Sequence, residues 1–271
     1  MSSVDRLFAG SIPEVYQKHL VPLIFEPYAW DLASRVTTGA GGRVLEIAAG
    51  TGVATRALAA AMTPTVALIA TDLNGEMLRQ ASARGAARPV EWRQADAMHL
   101  PFDDQYFDAV VCQFGVMFFP DKVAAFTEVR RVLTPGGMFV FNVWDRLEDN
   151  EIPHVVTLAL ESVFPENPPR FMARVPHGYH QRDVIRRHLS SGGFTGEVQI
   201  ETVAARSRAA SAREAAVAFC QGTPLRNEIE ARDAAALARA TDAAAAAVEA
   251  RFGRGLVDAG IQAHVITAHR D

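Results

Sequence analysis

The stretch Val-Leu-Glu-Ile-Ala-Ala-Gly-Thr-Gly, residues 44–52, decides the fold of this chain. Apart from Glu46, its first half is apolar and predicts a buried strand, which runs through Gly50 and Gly52 directly into a predicted helix over 52–62. Glycines at such a turn let the backbone bend sharply and approach a ligand, and the first helical turn offers N–H groups without helical partners. By itself the stretch predicts either a ligand-binding loop or only a tight connection.

Short apolar runs and helical stretches alternate around this turn as far as residue 144. Strands are predicted over 43–48, 65–70, 90–94, 107–113 and 138–144. Apolar strands that alternate with helices are typical of a parallel sheet covered on both faces, and right-handed crossovers favour a doubly wound order. We therefore expect an α/β fold with a mostly parallel Rossmann-like sheet.

The second half of the chain is less regular. We expect an irregular or briefly helical excursion over 151–174, a helix over 181–190, a strand over 197–204 and an almost wholly helical segment over 211–253. A last strand is predicted over 261–268, antiparallel to the rest. The helical segments predict a cap on the sheet, since long insertions often carry function.

Composition and charge exclude several classes. With 27 basic and 31 acidic residues the formal charge is −4, which argues against a nucleic-acid partner. Two cysteines are too few for a disulfide framework or a cysteine-built metal site, and no H-E-x-x-H pattern occurs, so no metal is expected. No run reaches the roughly 20 apolar residues that cross a bilayer, and the first residues do not resemble a secretion signal. We expect a cytoplasmic protein with no membrane partner.

Three acidic residues stand at or near predicted strand ends. Glu46 lies inside the first strand, where a buried carboxylate is costly unless donors bind it. Asp72 ends the second strand, where it could accept both hydroxyls of a ribose or cap the next helix. Asp96 follows the third strand and could bind an adenine amino group or form an Asx-turn. The third glycine of the dinucleotide fingerprint is absent, because Thr55 stands in its place.

In this order, VLEIAAGTG, TDLN, QADAMHLPF, FDAVVCQFGVMFFPD and RVLTPGG resemble the class I S-adenosylmethionine (SAM)-dependent methyltransferases. They are most similar to the small-molecule branch related to ubiquinone/menaquinone-biosynthesis methyltransferases. The resemblance covers about 43–145 and is specific for fold and cofactor rather than for substrate. It implies SAM as cofactor, S-adenosylhomocysteine (SAH) as product, and methyl transfer to an O, N or C atom of a small metabolite.

The resemblance also assigns cofactor-binding roles by position. The residues expected around the methionine part are Glu46, Ala48, Gly50 and Gly52. Asp72 would hold the ribose, Leu73, Asp96 and Ala97 the adenine, and Gln113 and Phe114 would flank the sulfonium. Aromatic and basic residues before the first strand are lid candidates or helix-packing residues: Tyr16, Lys18, Phe25 and Tyr28.

Substrate contacts are predicted from the resemblance and from local composition. Phe114, Met117, Phe118 and Phe119 follow the fourth strand and would either line the acceptor pocket or fill the core. Tyr28 and His154 are further candidates, and Arg226 could meet an anionic substrate or cap a helix. If the acceptor needs a base, His154 and His177 are the catalytic candidates.

The expected organisation has six segments. They are an N-terminal helical lid (1–42), a SAM-binding core (43–150), a cap insertion (151–178), a core helix and strand (179–206), a helical cap (207–260) and the last core strand (261–271). The alternatives are a SAM-binding protein without catalysis and an NAD-dependent oxidoreductase. A nucleic-acid methyltransferase is disfavoured, because Cys-Gln-Phe-Gly stands at 112–115 where an N/D-P-P-Y/F segment would be. Oligomeric state is left open.

Overall fold

A computed structural model describes residues 12–271, and its centre is one seven-stranded sheet. The strands are β1 (Arg43–Glu46), β2 (Ala67–Asp72), β3 (Glu91–Gln94), β4 (Phe107–Gln113), β5 (Leu133–Trp144), β6 (Gln199–Ala209) and β7 (Val257–His269). Their order is β3-β2-β1-β4-β5-β7-β6, and β1 to β5 are parallel. Strand β7 runs antiparallel to β5, since Gly136 N donates to Arg270 O and Arg270 N to Gly137 O, both at 2.8 Å. The predicted fold class is confirmed.

Helices connect and flank the strands. They are α1 (Ile12–Val15), a π-helical segment (Tyr16–Phe25), α2 (Glu26–Arg35), α3 (Val53–Ala61), α4 (Gly75–Arg84), α5 (Lys122–Val132), α6 (Glu151–Val163), α7 (Phe171–Arg174), α8 (Arg182–Ser191), α9 (Ala212–Gln221), α10 (Leu225–Arg232) and α11 (Leu237–Phe252). Short 3₁₀ turns lie at Val116–Phe118 and Leu147–Asp149. Among residues 12–271, no helix is long and apolar enough to cross a bilayer.

The sheet has an apolar layer on each face, as the alternation of side chains along a strand requires. On one face Val44, Val111 and Val140 are buried against Leu32 of α2 and Leu58 of α3. On the other face the rings of Phe139 and Phe141 stack at 4.7 Å, and Phe126 of α5 and Phe194 pack within 6 Å of Phe139. Burial of both faces explains why the strands read as continuous apolar runs.

The chain divides into two compact units. The core unit comprises residues 28–143, 179–203 and 263–271, and the helical unit comprises 12–27, 144–178 and 204–262. Within the helical unit α11 packs against α9 and α6 through small buried side chains such as Ala215, Ala240 and Ala244, which let helix backbones approach closely. The six-segment division expected from the sequence stays a prediction.

Some predicted boundaries were wrong. The segment 151–174 contains the 13-residue helix α6, which is longer than the brief helix expected there. Pro153 is tolerated because it stands in the first turn, where a missing N–H costs nothing. Strand β5 begins at Leu133 rather than at 138, since Leu133 already pairs with Phe107 before the register shifts to Ala109 and Met138. The helical stretch 211–253 is divided into α9, α10 and α11, and β6 and β7 are longer than expected.

Candidate cofactor-binding site

Four polar side chains lie on one face of the sheet at its carboxyl end. Glu46 pairs with Ala70 in β2 and Val111 in β4, so it shares a face with Asp72 and Gln113, two residues further along those strands. Asn142 of β5 pairs with Gln113 and therefore joins the same face. This polar row continues the apolar layer under α2 and α3 at the edge where doubly wound sheets bind ligands.

Asp72 ties the glycine loop to the end of the second strand. Its Oδ2 accepts a hydrogen bond from Gly50 N at 2.8 Å, and its Oδ1 accepts one from Asn74 N at 2.7 Å. The cap of α4 is Asn74, whose Oδ1 accepts from Glu76 N and Met77 N, so the alternative role of Asp72 as the cap is wrong. Burial raises the pKa of Asp72, while the two N–H donors oppose that shift.

The loop after β1 has an unusual backbone. Ala48, Gly50 and Gly52 all adopt left-handed conformations, with φ of 54°, 56° and 80°. A Cβ on Gly52 would lie 3.1 Å from Ala81 Cβ and from Trp92 Cη2, so a close approach of elements requires this glycine. Apart from the chain neighbours of Gly50, no atom of residues 12–271 lies within 4 Å of the position that a Cβ on Gly50 would take. Gly50 therefore presents bare backbone to open space, as a ligand cradle requires.

Glu46 is a buried carboxyl group with an unmet hydrogen-bonding requirement. Its side chain is 1% exposed, and its Oε2 has no hydrogen-bond partner among residues 12–271. Burial raises the pKa of Glu46 to about 8, Asp72 adds to this rise, and Thr55 and Arg56 oppose it. Such a group costs folding stability unless a ligand with donors or positive charge binds it. The carboxyl oxygen therefore fits the ammonium-bearing methionine part of SAM.

The adenine side of the predicted site lies at the ends of β2 and β3. Leu73 projects an apolar side chain that is 51% exposed, and Ala97 is buried. Asp96 Oδ1 accepts a hydrogen bond from Met98 N at 2.9 Å, which is the Asx-turn considered for it. Its Oδ2 lies 3.9 Å from Nδ1 of the exposed His99. The turn occupies one carboxylate oxygen and leaves lone pairs on the other for an adenine amino group.

The turn after β4 is held from two directions. Phe114 has a left-handed φ of 50°, and its N–H donates to Asn142 Oδ1 at 2.8 Å. The rings of Phe114 and Tyr28 are nearly perpendicular, with their centroids 5.3 Å apart. Tyr28 is fully buried, and its hydroxyl donates to Val203 O. Lys122 Nζ donates to Phe119 O at 2.9 Å. Met117 is buried and Phe118 partly exposed, so this turn has a fixed shape.

Asn142 and Lys122 were not singled out from the sequence. Asn142 is fully buried, and its Nδ2 has no hydrogen-bond partner among the residues that the structure describes. The available signal was the single amide inside the apolar run Phe-Val-Phe-Asn-Val-Trp at 139–144. Lys122 is one of two lysines beside 25 arginines, which is a weaker signal.

The other candidates belong to the helical unit. His177 is 4% exposed, and its Nδ1 donates to Asp145 O at 2.8 Å. His154 is half-buried in the first turn of α6. Tyr16 contacts Phe25 at a ring distance of 5.2 Å, and Arg226 Nε pairs with Glu230 Oε1 at 2.8 Å. Contact of Tyr16, His154, His177 and Arg226 with cofactor or substrate stays a prediction.

In the described part of the chain, no group of three or more His, Cys, Asp or Glu side chains could hold a metal ion.

Comparisons with known proteins address the same part of the chain. Residues 45–141 match the family model described as a methyltransferase domain. The ubiquinone/menaquinone biosynthesis C-methyltransferase UbiE of Burkholderia mallei is 42% identical over 114 residues, which are 40% of this chain and 47% of that protein. An uncharacterised protein of Mycobacterium tuberculosis is 39% identical over 123 residues, 45% of this chain and 44% of that protein. The chain thus matches less than half the length of these curated relatives.

Solved structures share the fold at low sequence identity. Phosphoethanolamine N-methyltransferase 2 of Haemonchus contortus, in complex with SAM, has a TM-score of 0.61 at 16% identity. The superposition includes 100% of this chain and 60% of the Haemonchus chain. The YcgJ protein of Bacillus subtilis has a TM-score of 0.56 at 20% identity, with 90% of this chain and 98% of its own covered.

The family match, together with the sheet order and the glycine loop, shows that residues 45–141 resemble a class I SAM-dependent methyltransferase domain, and this resemblance supports SAM as the cofactor. Within that class the segment resembles UbiE, as its motifs predicted. The family match favours a methyltransferase over an NAD-dependent oxidoreductase.

Proposed function

We propose that this protein transfers a methyl group from SAM to a small molecule. The observation that carries the proposal is the buried Glu46 carboxyl, with Oε2 unpaired among residues 12–271, beside a glycine loop that Asp72 holds open. A cationic amino-acid group supplies what Glu46 lacks, and bare backbone at Gly50 leaves room for it.

We assign a group of residues to each part of the cofactor. Glu46, Ala48, Gly50 and Gly52 would surround the methionine part. Asp72 would bind the ribose hydroxyls, because each of its carboxylate oxygens has a second lone pair after accepting one N–H. Leu73, Asp96 and Ala97 would contact the adenine.

SAM supplies a methyl group on a positively charged sulfur, which an acceptor atom displaces in one step. The protein's contribution is to align the acceptor with that bond and to exclude water. Gln113, Phe114, Met117 and Phe118 would do this after β4, and an aromatic face near the sulfonium adds about 0.5–2 kcal/mol of cation–π attraction. A small, partly apolar metabolite fits the apolar character of this turn.

A base in the helical unit would serve an acceptor that must lose a proton. His177 Nδ1 must donate, since its partner Asp145 O is a carbonyl that only accepts. In the neutral ring the lone pair is then on Nε2, which is the atom that would receive the proton. His154 is the second candidate.

Binding of SAH, measured by calorimetry, tests the cofactor site. We expect micromolar affinity in the wild type and a strong loss in Asp72→Ala, which removes the ribose acceptor and the Gly50 contact. Asp183→Ala is the control, since it removes an exposed carboxylate of α8 in the same unit. A folded wild-type protein that gives no heat with SAM or SAH contradicts the proposal.

Transfer of label from methyl-labelled SAM to a metabolite library tests the activity. A labelled product is expected, with less product in His177→Asn if His177 is the base. SAH binding without any labelled product would instead indicate a SAM-binding protein without catalysis.

A further inference from the structure

We propose that Gln94 is a positioning residue for the adenine side of the cofactor site, because its amide fixes the backbone of Leu73 and so orients the Leu73 side chain as a platform for the purine. This inference rests on the proposed function. It assigns a role to a residue that touches neither cofactor nor substrate itself.

The contact is well defined by its chemistry. Gln94 ends β3 opposite Asp72, and its Nε2 donates to Leu73 O at 2.8 Å. A carbonyl oxygen only accepts hydrogen bonds, so the amide nitrogen must face Leu73 and the amide oxygen must face away. That oxygen lies toward Gly75, where a Cβ would stand 3.0 Å from it. The Gln94 side chain therefore occupies the space that Gly75 leaves.

The backbone of Leu73 is consequently restrained at its own carbonyl and at the two neighbouring residues, Asp72 and Asn74. Asp72 accepts from Gly50 N and Asn74 N, Ala95 N donates to Asp72 O at 3.1 Å, and Asn74 caps α4. Between these anchors the Leu73 side chain remains 51% exposed. An apolar side chain on a restrained backbone at this edge suits the face of a flat ring, because less ordering is needed when the ring arrives.

The platform acts by contact with the ring face rather than by hydrogen bonding. The contribution of Leu73 to cofactor affinity should therefore not depend on the exocyclic amino group of adenine, which is assigned to Asp96. A ligand without that amino group thus distinguishes a role of Gln94 in orienting Leu73 from a role in recognising the amino group.

The first test is Gln94→Met, which keeps the length of the side chain and removes the donor. Calorimetric affinity for SAH should fall about threefold to tenfold, the range that loss of one neutral hydrogen bond permits. Affinity for S-inosylhomocysteine, which has an oxo group in place of the amino group, should fall by the same factor. Gln80→Met on α4 is the control and should leave both affinities unchanged.

The second test approaches the contact from Gly75. Gly75→Ala places a methyl group against Gln94 Oε1, at the first residue of α4, where φ is not left-handed. Alanine has a higher helix propensity than glycine, so the melting temperature of Gly75→Ala without ligand should stay the same or rise, while its affinity for SAH falls. In the double variant Gly75→Ala/Gln94→Met, the alanine should cost no further affinity, because the hydrogen bond to Leu73 O that it would disturb is already absent.

Three results would overturn the inference. They are wild-type SAH affinity in Gln94→Met, a larger loss for SAH than for S-inosylhomocysteine, and full additivity in the double variant. A wild-type protein that does not bind SAH at all would overturn the proposed function itself, which is a distinguishable result.

Discussion

Ala48 and Gly115 meet where β1 and β4 end, so closely that a Cβ on Gly115 would stand 2.5 Å from Ala48 Cβ. Ala48 is left-handed, and its methyl group is directed at the backbone of Gly115. The contact joins the cofactor loop to the turn at Val116–Phe118 that is expected to line the acceptor pocket. The geometry of one loop therefore limits the geometry of the other.

The first prediction concerns this contact. Gly115→Ala should lower the free energy of unfolding by about 1–3 kcal/mol, the usual cost of overpacking, because the new methyl also meets Cys112 Sγ at 2.8 Å. Ala48→Gly should be neutral or stabilising, since it relieves a left-handed alanine. The double variant should recover part of the loss, as measured by urea denaturation. Strict additivity would show that the two residues are not in contact.

The second prediction concerns Asn142. Asn142→Leu removes the acceptor of the buried Phe114 N–H and should cost about 1–3 kcal/mol in unfolding free energy. Asn142→Asp is the matched control. A buried carboxyl remains protonated and neutral, and it keeps an oxygen for that N–H, so it should lose less. Equal losses in the two variants would contradict this role of Asn142.

The third prediction concerns Glu46 and pH. Its folded pKa of about 8 exceeds that of an unfolded glutamate, so the folded protein retains a proton that the unfolded chain loses. The contribution of Glu46 to stability is therefore fully present below the unfolded pKa and declines as pH rises to about 8. Glu46→Gln should flatten this decline in denaturation measured from pH 5 to pH 8.

The same shift has a consequence for binding. An ammonium group beside Glu46 favours its ionised form, so SAH binding at pH 7 should release a proton in the wild type and not in Glu46→Gln. Calorimetry in buffers of different ionisation enthalpy measures this release. SAH affinity should also rise with pH and level off above about 8. A pH-independent wild-type affinity would refute the assignment of Glu46.

The fourth prediction concerns Lys122. Its ammonium donates to Phe119 O and lies 4.8 Å from the centre of the Tyr179 ring, and burial lowers the pKa of this lysine. Lys122→Met should lower unfolding free energy by about 1–2 kcal/mol, since it removes a charged donor to a carbonyl. Lys122→Arg, which keeps a donor and a cation over the ring, should cost less in the same denaturation assay.

Residues close together in the sequence were predicted well. Local periodicity predicts the strand–loop–helix around Gly50 and the strand that Asp72 ends. Because parallel strands bring their carboxyl ends to one edge of the sheet, the two features were expected to lie close together. The structure adds that Asp72 holds the loop, a contact over 22 residues that local patterns do not encode. The same holds for Asn142 and Phe114, which are 28 residues apart. The length of helix α6 was underestimated, because proline normally ends a helix and the sequence alone does not show that Pro153 stands in the first turn.

The hydrogen bond from Gly50 N to Asp72 Oδ2 is formed in the protein without ligand. The amide hydrogen of Gly50 should therefore exchange slowly with deuterium in the free protein. The proposed nucleoside site is thus assembled during folding, and ligand binding should change its shape little.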